Sequence, residues 1–284
     1  MSLSLLLSNA SLRAASFIVT IYGDVVEPRG GAIWVGNLIE ACAEVGISET
    51  LVRTAVSRLV AAGQLTGERE GRRSYYRLTE TAQADFAAAA RLLFGPSDPP
   101  QWRFVYLGGQ ALEADTNLLE HAGYTRLGPR LMIGARSHQQ LSEGSIVFTA
   151  DAVGANFGLR ELAAEYWDLS NYAKAYDDFL QRFGKFSDLI EAGEKLSPIE
   201  HLAARLILVH QYRIIVLHDP QLPASALPAD WPHTEVRRLF AGLYIRLSSQ
   251  ADDFVARRFL TSGGPLPVKT TATKSRMDEL LATL

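Results

Sequence analysis

The stretch from Ser48 to Leu78 constrains this chain more than any other. Leu51, Val52, Ala55, Val56, Leu59 and Val60 recur at helical spacing, so residues 48–62 are predicted to form a helix with one continuous apolar face. Ser48 is a good residue to cap its start. Thr50, Arg53, Thr54, Ser57 and Arg58 fall on the opposite face. An ordinary solvated face carries Lys and Glu together. This one carries Arg, Thr and Ser, with Glu49 the nearby acid, and such side chains suit phosphate oxygens and the base edges of a major groove. Gly63 stops the helix. Residues 65–70 and 74–78 then flank the turn residues Gly71, Arg72 and Arg73, which reads as a β-hairpin with a basic tip.

Upstream, Phe17, Ile18, Ile21, Tyr22 and Val25 recur at helical spacing, as do Val35, Leu38, Ile39 and Cys42, with Gly46 ending the second run. Helix, turn, helix and basic hairpin is the order of a winged helix-turn-helix domain, whose third helix enters the groove while the wing grips the backbone. From Ser48 to Leu78 six arginines oppose three glutamates, a local charge of +3; the whole chain is −3, so the remainder carries −6. Bulk charge therefore excludes a histone-like coat, and the positive charge sits on the DNA-facing elements. The expected DNA-binding residues are Ser48, Thr50, Arg53, Thr54, Ser57 and Arg58 on the helix. Arg69, Arg72 and Arg73 are expected to meet phosphates, with Tyr75 packing against sugar. The alanine-rich helix at 79–93, striped by Ala82, Phe86, Ala89 and Leu93, reads as a strut on its own domain or as a dimer seam.

Punctuation sets the domain scheme. GPSDPP at 95–100 stops a helix and reads as a linker. Residues 1–95 then form the winged-helix domain with its following helix. Residues 101–169 alternate strand and helix patterns, with strands expected at 103–107, 130–135 and 145–150 and a helix at 112–122. Residues 170–261 are helical, and 262–284, small and polar with Gly and Pro, reads as a mobile tail. The predicted fold class is α+β and multi-domain.

Several chemistries find no signal. One cysteine, Cys42, excludes a disulfide framework and a multi-cysteine zinc site, and fits a reducing compartment. No apolar run reaches the roughly 18–20 residues that cross a bilayer; the opening MSLSLLL lacks the basic start and length of a signal peptide. The expectation is a soluble, cytoplasmic protein without membrane contact. Gly184-Lys185 is followed by Phe186, not by the Ser or Thr of a phosphate loop, and neither GxGxxG nor GxSxG occurs. The six histidines at 121, 138, 201, 210, 218 and 233 show no metal-ligand spacing. No cofactor, metal or enzymatic activity is expected.

The run SFIVTIYGDVVEPRGGAIWVGNLIEACAEVGISETLVRTAVSRLVAAGQLTGEREGRRSYYRLTETA resembles the N-terminal domain of PaaX-type repressors of phenylacetate degradation. EYWDLSNYAKAYDDFLQRF at 165–183 and HDPQLPASALPADWP at 218–232 resemble later segments of the same family. The resemblance implies a cytoplasmic repressor whose hold on a double-stranded DNA operator is relieved by an aromatic acyl-CoA, phenylacetyl-CoA in the named members. It also implies a middle ferredoxin-like module similar to Cas2, although the link at 136–144 is short for the helix such a module carries, and a helical C-terminal domain. A homodimer on a palindromic site follows from the general behaviour of such repressors.

An acyl-CoA effector needs an apolar slot for its ring and cationic or donor groups for its phosphates. Trp167, Tyr172, Tyr176, His210, Tyr212 and Arg213 supply both kinds of group, and equally suit a helical core. The rival reading is a metal-dependent nucleic-acid-processing enzyme of Cas2-like type, which needs a carboxylate beside the phosphodiester; the first middle strand ends in Leu107-Gly108-Gly109 without one. A third reading is an interaction protein with a vestigial winged helix.

Overall fold

The computed structural model describes residues 2–8, 12–96, 100–109, 112–137, 141–153 and 156–284. Helix and small sheets are mixed, as an α+β chain requires. Residues cluster into two compact units, one of 1–96, 179–213 and 235–284, the other of 97–178 and 214–234. This division differs from consecutive domains broken near 95, 169 and 261. The helical residues after 170 do not cluster by themselves: most join the N-terminal unit, because their buried charges and aromatics find partners there.

The first unit opens with α1 (Ser2–Leu7) and α2 (Ala14–Ile21). A π-helical turn, Tyr22–Val26, and a 3-10 turn, Glu27–Arg29, carry α2 onward. β1 (Ala32–Trp34), α3 (Val35–Ala43), α4 (Glu49–Ala61), β2 (Leu65–Glu70), β3 (Arg73–Leu78) and α5 (Glu80–Phe94) follow. The three strands form an antiparallel sheet in the order β1-β3-β2, with Trp34 opposite Tyr75 and Leu65 opposite Leu78. Phe17, Ile18, Ile21, Leu38, Cys42, Val52, Val56 and Leu59 are buried, and each such large apolar side chain is worth about 1.5–3 kcal/mol. Burial pushes the Cys42 thiol up to about 12, so it behaves as a small apolar residue.

The second unit contains β4 (Trp102–Tyr106), α6 (Leu112–His121), β5 (Thr125–Arg126), β6 (Leu131–Gly134), β7 (Ile146–Ala150) and α7 (Asn156–Tyr166). Every neighbouring strand pair is antiparallel, in the order β5-β6-β4-β7. Trp102 and Ile133 pack with Ala163 and Trp167 in one apolar cluster; Val105 and Met132 pack with Leu119 in another. After β4, a Cβ on Gly108 would lie 1.9 Å from the Gly144 carbonyl oxygen, so only glycine fits. Asp115 of α6 clasps the same turn, accepting from the hydroxyls of Ser142 at 2.8 Å and Ser145 at 3.1 Å. Part of the short link between β6 and β7, including His138, lies outside the described residues.

α8 (Leu169–Glu191), α9 (Pro198–His218) and α10 (His233–Arg258) each have residues in both units. A two-residue hairpin, β8 (Leu260–Thr261) with β9 (Gly264–Pro265), leads to α11 (Thr271–Leu281). The expectation of a mobile tail over 262–284 is corrected here. Thr270 and Thr273 form a capping box at the start of α11, and Leu280 is fully buried. Arg276 donates to the carbonyl oxygens of Gly23 and Asp24, and its guanidinium lies 3.8 Å from the Phe94 ring centroid. Polar composition concealed these anchors.

A buried charge network fastens the same unit. Arg205 of α9 donates to Asp24 at 2.9 Å and to Asp252 of α10 at 2.6 Å. Arg29 also reaches Asp252 at 2.6 Å, while the Tyr244 hydroxyl donates to Asp24 at 2.8 Å. With Arg276, at 3.2 Å from Asp24, three guanidiniums share two carboxylates.

Candidate nucleic-acid interface

α4 starts where its cap is made: the Ser48 hydroxyl accepts from the Leu51 amide at 3.5 Å. That role occupies Ser48 locally. Val52, Ala55, Val56 and Leu59 face the core, and this inward row leaves Thr50, Arg53, Thr54, Ser57 and Arg58 exposed. All five expected helix residues thus stand on one solvent-facing surface. Leu51 and Val60, expected on the apolar face, are instead exposed, Leu51 by 55%. They lie at the margins of the buried stripe, where the 100° step per residue turns them outward. Leu51 stands one turn before Thr54 and two before Arg58, an outward apolar residue that simple counting of apolar positions assigned to the core.

Two of these donors have partners. Arg53 pairs with Glu49, one turn back, at 2.7 Å, and both are more than half exposed. The Thr54 hydroxyl donates to the Thr50 carbonyl at 2.8 Å. In water an exposed i,i+4 pair is worth about 0.3–0.5 kcal/mol, so the Glu49 contact restrains Arg53 only lightly.

The hairpin turns over two residues, Gly71 and Arg72, with Gly71 at φ 58° as a tight primed-type turn demands. Arg73, expected in the turn, begins β3 opposite Glu70, and its guanidinium lies 5.0 Å from the Trp34 ring centroid. Arg69 donates to the Gly71 carbonyl at 3.2 Å. Arg69, Arg72 and Arg73 are all exposed. Tyr75 is not: it is 5% exposed on the central strand, between Trp34 and Glu68, and cannot pack against a sugar. Position on the middle strand, covered from both sides, overrides the tyrosine's suitability for a nucleic-acid contact.

The six residues expected to hold an effector divide between the units. In the second unit the Trp167 indole donates to the Gly123 carbonyl at 2.9 Å and its ring lies 6.2 Å from Trp102. Tyr176, buried, donates its hydroxyl to Asp219 and meets the edge of Trp231 at 5.9 Å. Tyr172 is half-buried. In the first unit Tyr212 stacks on Phe240 at 3.9 Å, and Arg213 donates to the Ser16 hydroxyl at 2.9 Å. The buried His210 sits 2.9 Å from the Thr20 hydroxyl, and burial, reinforced by Arg213, lowers its pKa to about 4. These side chains are engaged in packing rather than converged on an open slot. An open groove of about 560 Å³ lies elsewhere in the first unit, between α8 and α10, lined by Glu191, Arg238, Leu239, Leu243 and Arg246 among others.

Among the described residues no group of three or more His, Cys, Asp or Glu is placed to hold a metal ion, and no helix is long and apolar enough to cross a membrane.

Two family models match the chain: "PaaX-like protein" over residues 13–82 and "PaaX-like protein C-terminal domain" over 167–257. The transcriptional repressor PaaX of Escherichia coli (strain K12) is 32% identical over 274 residues, spanning 89% of this chain and 86% of its own. A solved structure, the uncharacterized protein Rv0674 from Mycobacterium tuberculosis, is 22% identical with a TM-score of 0.49, covering 86% of this chain and 99% of its own. From the α2–α5 segment to the last turns of α10, the protein belongs to the PaaX-like family.

Proposed function

We propose that the protein is a DNA-binding transcriptional repressor that acts as a homodimer, with one copy of α4 in each major-groove half-site of an operator. The observation that carries this reading is the exposed row Thr50, Arg53, Thr54, Ser57 and Arg58 beside a basic two-residue hairpin, in a chain related along most of its length to a transcriptional repressor. In this winged-helix docking, Arg53 and Arg58 read base edges or nearby phosphates, Thr54 and Ser57 add hydrogen bonds, and Leu51 offers an apolar contact to a thymine methyl. Arg69, Arg72 and Arg73 neutralise backbone phosphates.

The second unit's antiparallel sheet order supports a ferredoxin-like middle module. The effector is an aromatic acyl-CoA such as phenylacetyl-CoA, a reading that rests on family membership. The groove between α8 and α10, with Arg238 and Arg246 beside Leu239, offers cations and apolar surface together and is the place to look for its phosphates.

The test is selection of bound duplexes from a randomised pool, followed by anisotropy titration of the selected site with wild type, Arg53→Ala and Arg58→Ala. Each substitution is expected to weaken specific binding by about 1–3 kcal/mol where it removes a bidentate base contact. Failure to enrich any sequence, or wild-type affinity in both variants, overturns the docking. Adding phenylacetyl-CoA, acetyl-CoA and free phenylacetate to the complex tests the effector; release by the first alone is expected.

A further inference from the structure

β7 is the outer strand of its sheet, and among the described residues no strand pairs with its free edge. Its side chains are those of an interior strand: Ser145-Ile146-Val147-Phe148-Thr149-Ala150 carries no charge. Yet Ile146 is 50% and Phe148 53% exposed, and Val147 is exposed beside them. The strand register places Ile146 and Phe148 on the same sheet face as Tyr106 and Phe104 of β4. The α7 cluster covers that face around Trp102, Phe104 and Ala150, and leaves the Tyr106–Ile146 end open, with Tyr106 42% exposed. Val153 and Phe157, just beyond the strand, are also exposed. Soluble proteins blunt such edges with lysine, proline or a bulge, and this one has none.

We propose that β7 is the dimerisation edge, and that its occupant is β7 of a second copy, paired antiparallel about a two-fold axis at Phe148. The strand's own sequence fits this pairing. Centred on Phe148, Ile146 meets Ala150 and Val147 meets Thr149 of the other copy; carried past the strand ends, Ser145 meets Asp151 and Glu143 meets Val153, so no like charges face one another. Centring one residue earlier sets Glu143 against Asp151. Area agrees: at about 150–200 Å² per large side chain, the six exposed apolar residues present roughly 600 Å². That lies at the upper end for the largest apolar patch of a monomer and approaches the ~800 Å² per partner of a standard interface. Two four-stranded sheets thereby join into one of eight.

The test uses the full chain in sedimentation velocity without DNA. Wild type is expected as a dimer of 31.2 kDa protomers. Phe148→Lys and Phe148→Glu should each be monomeric where wild type is dimeric, with unchanged far-ultraviolet circular dichroism. An equimolar mixture of the two should recover the dimer, since opposite charges then meet at the axis. A monomeric wild type, a dimeric Phe148→Lys, or a mixture of folded variants that stays monomeric overturns the proposal. Should both charged variants fail to fold, Phe148→Cys decides: diamide should link two copies through that position, and no covalent dimer overturns the proposal. The inference deepens the two-fold repressor reading but fails separately from it. A dimer unaffected by Phe148→Lys removes this interface and leaves DNA binding intact; a dimer dissolved by Phe148→Lys that never binds DNA removes the repressor reading and leaves the interface.

Discussion

Glu49 stands at the first turn of the helix proposed to enter the groove, 2.7 Å from Arg53. Its replacement by glutamine has opposite effects on stability and on DNA affinity, and the signs follow from geometry. A carboxylate in the first turn is favoured by the helix dipole by about 0.3–1 kcal/mol, so Glu49→Gln should destabilise the free protein by that amount. On DNA the same carboxylate opposes binding twice. Arg53 must give up an exposed pair worth about 0.3–0.5 kcal/mol to reach a base or phosphate. The remaining charge then faces phosphates; at ~10 Å in water each unit pair costs about 0.4 kcal/mol before screening. Together these give a gain of roughly 0.5–1 kcal/mol, a two- to five-fold tighter complex. Anisotropy titrations of Glu49→Gln, Arg53→Ala and the double variant close the cycle: part of the gain should vanish once Arg53 is absent, because only the repulsive contribution survives. Weaker operator binding by Glu49→Gln, with the Arg53→Ala complex at wild-type strength, would refute the reasoning, for Arg53 would then not be the group that Glu49 holds back.

The wing should respond through salt rather than sequence. Replacing Arg72 and Arg73 by alanine together is expected to lower the salt slope of log K by about two units, one for each lost phosphate contact, and to weaken all duplexes alike; an unchanged slope marks the hairpin as merely solvated. Asp24→Asn should cost about 3–5 kcal/mol in chemical denaturation, since it strips a buried carboxylate from three guanidiniums; a loss below about 1 kcal/mol would show that the network does not hold the unit. The buried neutral His210 should make the protein acid-sensitive. Its folded pKa of about 4 lies below the ordinary 6.5, so its contribution is whole above pH 6.5 and falls as pH drops toward 4, by about 3 kcal/mol in all. Urea melts should show His210→Gln losing part of that slope. Glu27, pushed up to about 7 by burial, acts in the opposite sense, with stability falling as pH rises from 4.5 to 7, and Glu27→Gln should flatten that limb.

The DNA-facing elements were legible because their signals are local. Ser48 caps, Val52 through Leu59 face inward at a 3.6-residue period, and Gly71 demands a tight turn; none of these needs knowledge of a distant partner. Tyr75 was not legible, since its burial depends on being on the middle strand between residues 34 and 68. The same holds for Asp24, Arg205 and Asp252, whose one-letter codes resemble those of surface residues and whose pairing spans 181 residues in one case and 47 in the other. α11 was read as a tail because its polar face outnumbers its anchors. The effector candidates show the converse error: Trp167, Tyr176 and Tyr212 have the right chemistry for a ligand pocket and spend it on Trp102, Asp219 and Phe240.

The buried network also limits how a ligand can release the protein from DNA. A tenfold loss of operator affinity needs about 1.4 kcal/mol of coupling, and an allosteric ligand typically supplies about 1–3 kcal/mol. Separating Asp24 from Arg205, or Asp252 from Arg29, would leave a charge buried without its partner at about 3–5 kcal/mol each, more than that coupling covers. Release by breaking these pairs is therefore uphill, and α2, its π-helical extension, α9, α10 and α11 must move as one body when the effector binds. The adjustment then falls on softer contacts, such as the exposed Arg258–Glu40 pair at 2.8 Å between α10 and α3. Hydrogen exchange with and without effector separates the two routes. Amides of the π-helical turn and of α9 around Arg205 should stay protected in both states, and deprotection there on effector binding would show that the network itself is the switch.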